Sequence, residues 1–278
     1  MKFHGVFGYF PNLGQHVALG SDKHAFGDCD TAVIITHRMT MLPAIIWFAS
    51  TFILASTATT PASRDGWHAQ RHADINTRVQ AAQGEVDIVF IGDSITQGWE
   101  QAGRDVWAKH YGDRTALNLG ISGDRTEHVL WRLDNGNLSG ITPRVAVVMI
   151  GTNNIGHGTH TTDEVLAGVR AVVQRITAVS PNTRVVLLDI FPRGAAFNAD
   201  RGRILQINQA MARLHDGSQV FYLPIGHVFI EDDGTIASTI MPDALHLSPA
   251  GYQRWADAIE PTLNQLLVDH GDATEVSR

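Results

Sequence analysis

The chain has 278 residues, of which 44% are hydrophobic, and it carries a formal net charge of −7. Acidic residues (28) outnumber Lys and Arg (21), which argues against a nucleic-acid partner. Cys29 is the single cysteine, so an intrachain disulfide is excluded. The residues that follow position 58 are numerous enough for one α/β domain with a sizeable core.

The first part of the chain is typical of a leader sequence. Residues 39–58 resemble a secretory signal, because their apolar run carries no charge and ends in Ser56-Thr57-Ala58, which suits cleavage. Residues 1–38 are then predicted to be an over-extended N-terminus, with translation starting at Met39 or Met41. An uncleaved membrane anchor is the alternative, although the apolar run is short for a span of about 20 residues. We therefore expect a secreted or periplasmic protein with no stable membrane association after signal cleavage.

Beyond the signal, apolar runs alternate with helical patterns. Residues 59–83 are predicted to form a linker and an N-terminal helix, residues 84–268 one domain, and residues 269–278 a flexible tail. The predicted strands of the domain are 86–91, 115–119, 145–150, 184–190 and 219–224. The predicted helices are 99–110, 125–134, 163–179, 200–215 and 248–268. This alternation predicts a parallel sheet covered by helices on both faces.

The first predicted strand ends in the most informative turn of the chain, Gly92-Asp93-Ser94. Val86 to Ile91 is rich in β-branched and aromatic residues, which favours a strand, and the glycine ends it. Ser94 therefore stands at the carboxyl end of a strand, which is the edge where open α/β sheets bind ligands. For this turn alone, a serine that only caps the next helix is the simpler interpretation.

Three later segments place further polar groups at the same predicted edge. Gly120 to Asp124 is a glycine-rich loop, whose backbone N–H groups can approach a ligand closely. Gly151-Thr152-Asn153-Asn154 follows a buried strand and offers an amide that can donate to an oxyanion. Asp243 and His246 can supply a base and its orienting carboxylate to a serine hydroxyl. Turn chemistry explains each segment singly, but together they predict a hydrolytic site.

In their order, the four segments resemble the Ser, Gly, Asn and His blocks of the GDSL/SGNH hydrolase family. Within it, His128 to Leu133 and Phe191 to Gly194 are most similar to the catalytic subunits of platelet-activating-factor acetylhydrolase-like esterases. The resemblance covers about residues 84–268 and implies a flavodoxin-like, three-layer α/β/α fold with a five-stranded parallel sheet. The Gly-x-Ser-x-Gly turn of α/β-hydrolases is not present here, because Thr96 stands two residues after the serine.

The resemblance implies a role for each matched residue. Ser94 would be the nucleophile, His246 the general base and Asp243 its orienting carboxylate. The oxyanion hole would consist of the backbone N–H groups of Ser94 and Gly123 together with the side chain of Asn153. Asp93, by contrast, is expected to hold the turn.

These features predict a secreted serine ester hydrolase that removes short acyl groups, with acetyl preferred. Because export places it among polysaccharides, the preferred substrate is carbohydrate, as for an acetylxylan esterase. Lysophospholipase, thioesterase or general short-chain aryl esterase activity is the alternative, and a non-catalytic glycan-binding protein on the same fold is a more distant one. No cofactor is required, and His157 and His160 lack convincing further ligands for a metal. The similar acetylhydrolase subunits pair into dimers, so a homodimer stays open.

Overall fold

A computed structural model describes residues 56–275 of the chain, apart from the side chains of Glu85 and of residues 269–275. Residues 1–38 and the predicted signal up to residue 55 lie outside the described residues. The strands are β1 Gly84–Gly92, β2 Ala116–Asn118, β3 Ile141–Met149, β4 Arg184–Leu188 and β5 Val220–Leu223. The helices are α1 Trp67–Ala82, α2 Ser94–Gln97, α3 Arg104–Tyr111, α4 Thr126–Asp134, α5 Thr152–Gly156, α6 Thr162–Val179, α7 Ala199–Met211 and α8 Pro249–Glu275. None of the described helices is long and apolar enough to span a membrane.

The five strands form one parallel sheet in the order β2-β1-β3-β4-β5. In the centre of the sheet, Ile88 of β1 pairs with Ala116 of β2 on one side and with Val145 of β3 on the other. The strands are nearly continuous apolar runs because helices cover both faces of the sheet, which leaves no position that must be polar. The predicted parallel sheet is confirmed.

Side chains alternate along each strand between two apolar layers. In β3, Ala146 and Val148 contact the layer formed with α1, α4, α6 and α7. Val145, Val147 and Met149 contact the opposite layer, which α3 and α8 complete. The predicted three-layer α/β/α fold is therefore confirmed, with the sheet between two helical layers.

Large aromatic rings fix α8 on the sheet. The ring of Trp255 lies 5.0 Å from that of Trp99 and 5.1 Å from that of Phe191, measured between centroids. All three side chains are almost completely buried, so each contributes on the order of 2 kcal/mol or more of apolar burial. This packing positions α8, and with it the turn that precedes the helix.

The helices differ from the predicted ones at three places. In the region of the predicted helix 99–110, the structure has a 3-10 turn at Gly98–Glu100 followed by α3, and the short helix α2 precedes both without having been predicted. Glycine at 98 and 103 disfavours a continuous helix. The residues of α5 are predicted from the sequence only as a turn, because asparagine and glycine are common both in turns and at the ends of helices. α8 continues to Glu275, although a flexible tail was predicted from residue 269; a polar segment can extend a helix that packing has already nucleated.

Residues 56–64, called here the N-terminal strap, pack against α4 and α6. Ala58 is fully buried, and its carbonyl oxygen accepts a hydrogen bond of 2.8 Å from the hydroxyl of Thr126. The guanidinium of Arg64 donates to the carbonyl oxygen of Ser122 at 3.0 Å. The segment predicted as a linker is thus part of the folded unit, because its small residues fit between two helices. The same holds for residues 56–58, which were predicted as the end of the signal but pack with the domain.

Candidate active site

Ser94 is the first residue of α2 and follows β1 at the carboxyl edge of the sheet. Asp93 caps this short helix, since its Oδ1 accepts the N–H of Ile95 at 3.0 Å. Gly92 is required by close packing, because a Cβ there would lie 2.4 Å from the carbonyl oxygen of Met149. The turn is therefore tight and rigid, and it presents the serine at the edge of the sheet.

Asp243 and His246 lie in the turn that precedes α8. Oδ1 of Asp243 accepts the N–H of His246 at 2.7 Å, and its Oδ2 lies 2.7 Å from Nδ1 of the ring. Nε2 of the ring lies 2.9 Å from Oγ of Ser94. Because Nδ1–H donates to the carboxylate, Nε2 is free to accept the proton of the serine hydroxyl. The structure thus joins the three residues in one chain of hydrogen bonds.

The turn keeps Asp243 ionised. Burial acts to raise the pKa of this carboxyl, but hydrogen bonds from the ring and backbone of His246 outweigh it and hold the pKa below its usual range. The two side chains are 57% and 47% exposed, so a substrate can reach the imidazole. Between them, Ala244 has a left-handed φ of 56°, and its carbonyl oxygen accepts the N–H of Gly194 at 2.8 Å.

Contacts at the start of α8 hold the catalytic turn against the serine. The hydroxyl of Ser248 donates to the carbonyl oxygen of Thr239 at 2.6 Å and accepts the N–H of Gly251 at 3.1 Å. The hydroxyl of Tyr252 donates to the carbonyl oxygen of Ile95 at 2.6 Å. The first turn of α8 is therefore tied both to the preceding loop and to the helix that carries Ser94.

The three predicted oxyanion donors belong to Ser94, Gly123 and Asn153. Gly123 has a φ of 74°, which favours glycine, and neither its N–H nor that of Ser94 donates to an acceptor among residues 56–275. Asn153, in α5, donates through Nδ2 to the carbonyl oxygen of Asp124 at 2.9 Å. This bond uses one amide hydrogen and leaves the second for a ligand. The predicted oxyanion donors thus come from segments that meet at one edge of the sheet.

A buried arginine that the sequence analysis did not single out connects these segments. Nε of Arg132 donates to Oδ2 of Asp124 at 2.7 Å, and its two terminal nitrogens donate to the carbonyl oxygens of Leu119, at 2.9 Å, and Gly92, at 3.3 Å. Burial lowers the pKa of Arg132, and the neighbouring Asp124 acts in the opposite direction. The only signal in the sequence was its place in the block His128 to Leu133, where a buried role is not visible.

Asp93, the residue before Ser94, is fully buried. Burial is the main cause that raises its pKa to about 7, with a further contribution from the Asp124 carboxylate, while the N–H of Ile95 and the His246 ring act to lower it. Its Oδ2 has no hydrogen-bond partner within the described part of the chain. Much of the Asp93 population therefore holds a proton near neutral pH, which suits a group that shapes the turn.

The serine opens into a cleft of about 260 Å³. The cleft is lined by Ser94, Gln97, Gly98, Gln101, Ala102, Ser122, His246, Leu247 and Tyr252. A second cavity of about 450 Å³ lies at the ends of β4 and β5, between Asp189 and Ile230, and none of the predicted site residues lines it. The smaller cleft is therefore the candidate site for the reaction.

The described residues contain no cluster of three or more His, Cys, Asp or Glu side chains that could hold a metal ion. His160, which the sequence placed beside His157 as the tightest histidine pair, is buried and lies 2.8 Å from the hydroxyl of Thr57 and 3.3 Å from Nδ2 of Asn154. Its ring thus connects the N-terminal strap to α5.

A parallel three-layer fold that presents a Ser-His-Asp chain of hydrogen bonds at the carboxyl edge of its sheet defines a class, the serine hydrolases that transfer acyl groups. The model of the GDSL-like lipase/acylhydrolase family matches residues 90–254. The chain belongs to this family, which confirms the predicted membership, and it is a carboxylic ester hydrolase.

Curated relatives agree with this assignment. The chain is 41% identical over 184 residues to the platelet-activating factor acetylhydrolase IB subunit alpha1 of Homo sapiens, covering 66% of this chain and 78% of the relative. It is 36% identical over 204 residues to the alpha2 subunit of Rattus norvegicus, covering 73% and 86%.

Two solved structures share the fold. A GDSL-like lipase from Bacteroides thetaiotaomicron matches with a TM-score of 0.57 and 20% identity, covering 70% of this chain and 97% of that one. A catalytic mutant of an acetylxylan esterase from Geobacillus stearothermophilus matches with a TM-score of 0.53 and 19% identity, covering 64% and 94%.

Proposed function

We propose that the protein is a secreted or periplasmic acetylesterase that removes acetyl groups from carbohydrate. The observation that carries the proposal is the continuous chain from Asp243 Oδ2 through the His246 ring to Ser94 Oγ, with contacts of 2.7 and 2.9 Å. This chain provides a nucleophile, a base and an orienting carboxylate in reach of one another.

The reaction proceeds through an acyl-enzyme. Ser94 attacks the ester carbonyl while His246 takes its proton, and Asp243 stabilises the imidazolium that forms. The backbone N–H groups of Ser94 and Gly123 and the side chain of Asn153 hold the tetrahedral oxyanion. His246 then protonates the leaving alcohol, activates a water molecule and returns the proton to Ser94 when the acid departs.

The choice of acyl group and alcohol rests on the relatives and on the cleft. The curated relatives are named for acetyl hydrolysis, and an acetylxylan esterase shares the fold. The polar side chains Gln97, Gln101 and Ser122 line the cleft, which suits an alcohol that carries hydroxyl groups better than an alkyl chain. These features favour acetylated carbohydrate over lipid as the substrate.

Export is supported by the uncharged apolar run between residues 42 and 55. Mass spectrometry of the protein recovered from outside the cytoplasm would locate the processed N-terminus. A mature chain that still begins at residue 1 would contradict export through this signal.

The test of the activity is acetate release from acetylated xylan by the enzyme and by its Ser94→Ala variant. We expect release that disappears in the variant, whereas Ser139→Ala, an exposed serine before β3, should leave it unchanged. Release that persists in Ser94→Ala would contradict the assigned nucleophile. If xylan stays acetylated while p-nitrophenyl acetate is cleaved, the carbohydrate part of the proposal is wrong and the esterase remains.

A further inference from the structure

Gln97 lies beside the nucleophile without a role in the reaction described above. Ser94 and Gln97 stand three residues apart in α2, so their side chains project from the same side of the helix. Both line the cleft together with His246. The backbone of Gln97 is fixed as well, because its N–H donates to the carbonyl oxygen of Asp93 at 2.8 Å.

The orientation of the Gln97 amide follows from its partner. The backbone N–H of Ser122 lies 2.7 Å from this amide, and only the oxygen Oε1 can accept that hydrogen bond. Nε2 must then occupy the other branch of the amide plane. Its hydrogens have no acceptor in the described part of the chain, so two donors remain available at the cleft.

The oxyanion does not need these donors, because Ser94, Gly123 and Asn153 already supply three. The donors on Nε2 are therefore left for the alcohol side of the ester. A donor in a cleft is satisfied by water until a substrate displaces it, and an alcohol without an oxygen to accept the bond leaves it unpaired. A site with such a donor rejects alcohols that lack a hydroxyl group strongly. An apolar site, by comparison, rejects alcohols that carry an extra hydroxyl group only weakly.

We infer that Gln97 is a specificity-determining residue, whose Nε2 donates a hydrogen bond to a hydroxyl oxygen on the alcohol part of the ester. The enzyme accordingly prefers acetyl esters of polyhydroxylated alcohols to those of alkyl alcohols. The inference rests on the proposed function for the identity of the nucleophile, and it deepens that function by naming the side chain that recognises the alcohol. Gln101 and the hydroxyl of Ser122 extend the same polar wall.

The test uses two substrates that differ only in hydroxyl groups, glycerol 1-monoacetate and n-propyl acetate. We expect the enzyme to prefer the glycerol ester in kcat/KM by about tenfold, the worth of one well-placed hydrogen bond. Gln97→Glu keeps an oxygen to accept the N–H of Ser122 but lacks the amide donor, so the preference should fall to near unity. A wild-type enzyme without the preference, or a variant that retains it, would overturn the inference.

Two further variants separate recognition from other effects. Gln174→Glu adds the same charge on the exposed side of α6, and the preference should not change. Gln97→Met removes both the donor and the acceptor for Ser122, so both substrates should slow in addition to the loss of preference. If Gln97→Met slows both esters equally and the preference survives, Gln97 only positions the loop and the inference is wrong.

The inference and the proposed function fail separately. If xylan is not deacetylated but the preference for the glycerol ester disappears in Gln97→Glu, only the polysaccharide assignment is wrong. If xylan is deacetylated but the preference is insensitive to Gln97→Glu, only the role of Gln97 is wrong.

Discussion

At the scale of single residues, the two neighbouring asparagines of α5 have different partners. Asn153 donates one amide hydrogen to the carbonyl oxygen of Asp124, and the other is the predicted donor to the oxyanion. Asn154 is completely buried, and its side chain bonds to Thr126 and Glu127 of α4. The first side chain is proposed to serve the reaction, whereas the second connects α5 to α4.

We expect Asn153→Ala to lower kcat for p-nitrophenyl acetate by about 10² to 10³, the loss typical of one oxyanion donor, and to destabilise the fold less than Asn154→Ala does, because it removes a single hydrogen bond within the protein. Asn154→Ala should leave kcat nearly unchanged and reduce the free energy of unfolding by about 1–3 kcal/mol, because it leaves several buried partners unpaired. Initial rates and thermal melts of both variants provide the measurement. Equal loss of kcat in the two variants would contradict the distinction.

Sequence reasoning located Ser94, Asn153 and His246, because each stands in a short segment whose order along the chain is specific. It did not identify the role of Arg132, since nothing in one sequence shows that a single guanidinium connects two separate segments. The amide orientation of Gln97 was equally inaccessible, because it depends on the N–H of Ser122, which is distant in sequence. Contacts between segments decide such roles, and these exist only after folding.

At the scale of elements, α6 and α7 each contain a glycine, and the two glycines have different surroundings. Gly168 of α6 is buried, and a Cβ there would lie 2.4 Å from Oγ1 of Thr126 and 2.9 Å from the carbonyl oxygen of Ala58. Gly202 of α7 is exposed, and a Cβ there would meet no atom within 4 Å. The first glycine allows the N-terminal strap to approach α6, whereas the second makes no such contact.

The substitution Gly168→Ala should therefore reduce the free energy of unfolding by about 1–3 kcal/mol through overpacking against the strap. Gly202→Ala should increase it by about 0.5–1 kcal/mol, because alanine restricts the unfolded chain and suits a helix. Urea denaturation of both variants and the wild type measures the two effects. A stable Gly168→Ala variant would mean that the strap does not depend on this close approach.

The sequence predicts helices and strands most accurately where burial requires apolar residues. β1 and β3 were found because strands covered on both faces must be apolar, and α6 because its valines recur at helical spacing. α5 was not predicted, since five residues carry too little periodicity to distinguish a helix from a turn. The packing of the strap was also not visible, because small polar residues are equally common in free linkers.

At the scale of the whole molecule, stability depends on the protons held in the interior. Burial raises the pKa of Asp93 from 3.8 to about 7, so the folded protein retains a proton that the unfolded chain has already released. At pH values between these two pKa values, the folded state binds more protons than the unfolded state. Raising the pH through this interval therefore lowers the free energy of unfolding.

Asp93→Asn removes this titration but keeps an oxygen for the N–H of Ile95. We expect the stability of the variant relative to the wild type to increase when the pH is raised from about 5 to about 8. Urea denaturation at the two pH values gives this difference in the free energy of unfolding. The contributions of the other titrating groups cancel in it, including that of Asp189, whose pKa burial raises to about 6. A difference that is independent of pH would mean that Asp93 is ionised throughout.

The reacting groups divide unevenly along the polypeptide. The serine hydroxyl and the predicted oxyanion donors lie between residues 94 and 153, whereas the imidazole and its carboxylate lie at residues 243 and 246. The exposed turn at residues 215–218 separates the two sets. Two fragments divided at that turn would each hold half of the chemistry, and only their reassociation would restore hydrolysis. The same arrangement that completes an esterase thus makes the fold suitable as a split-enzyme reporter, in which each association event is amplified by turnover.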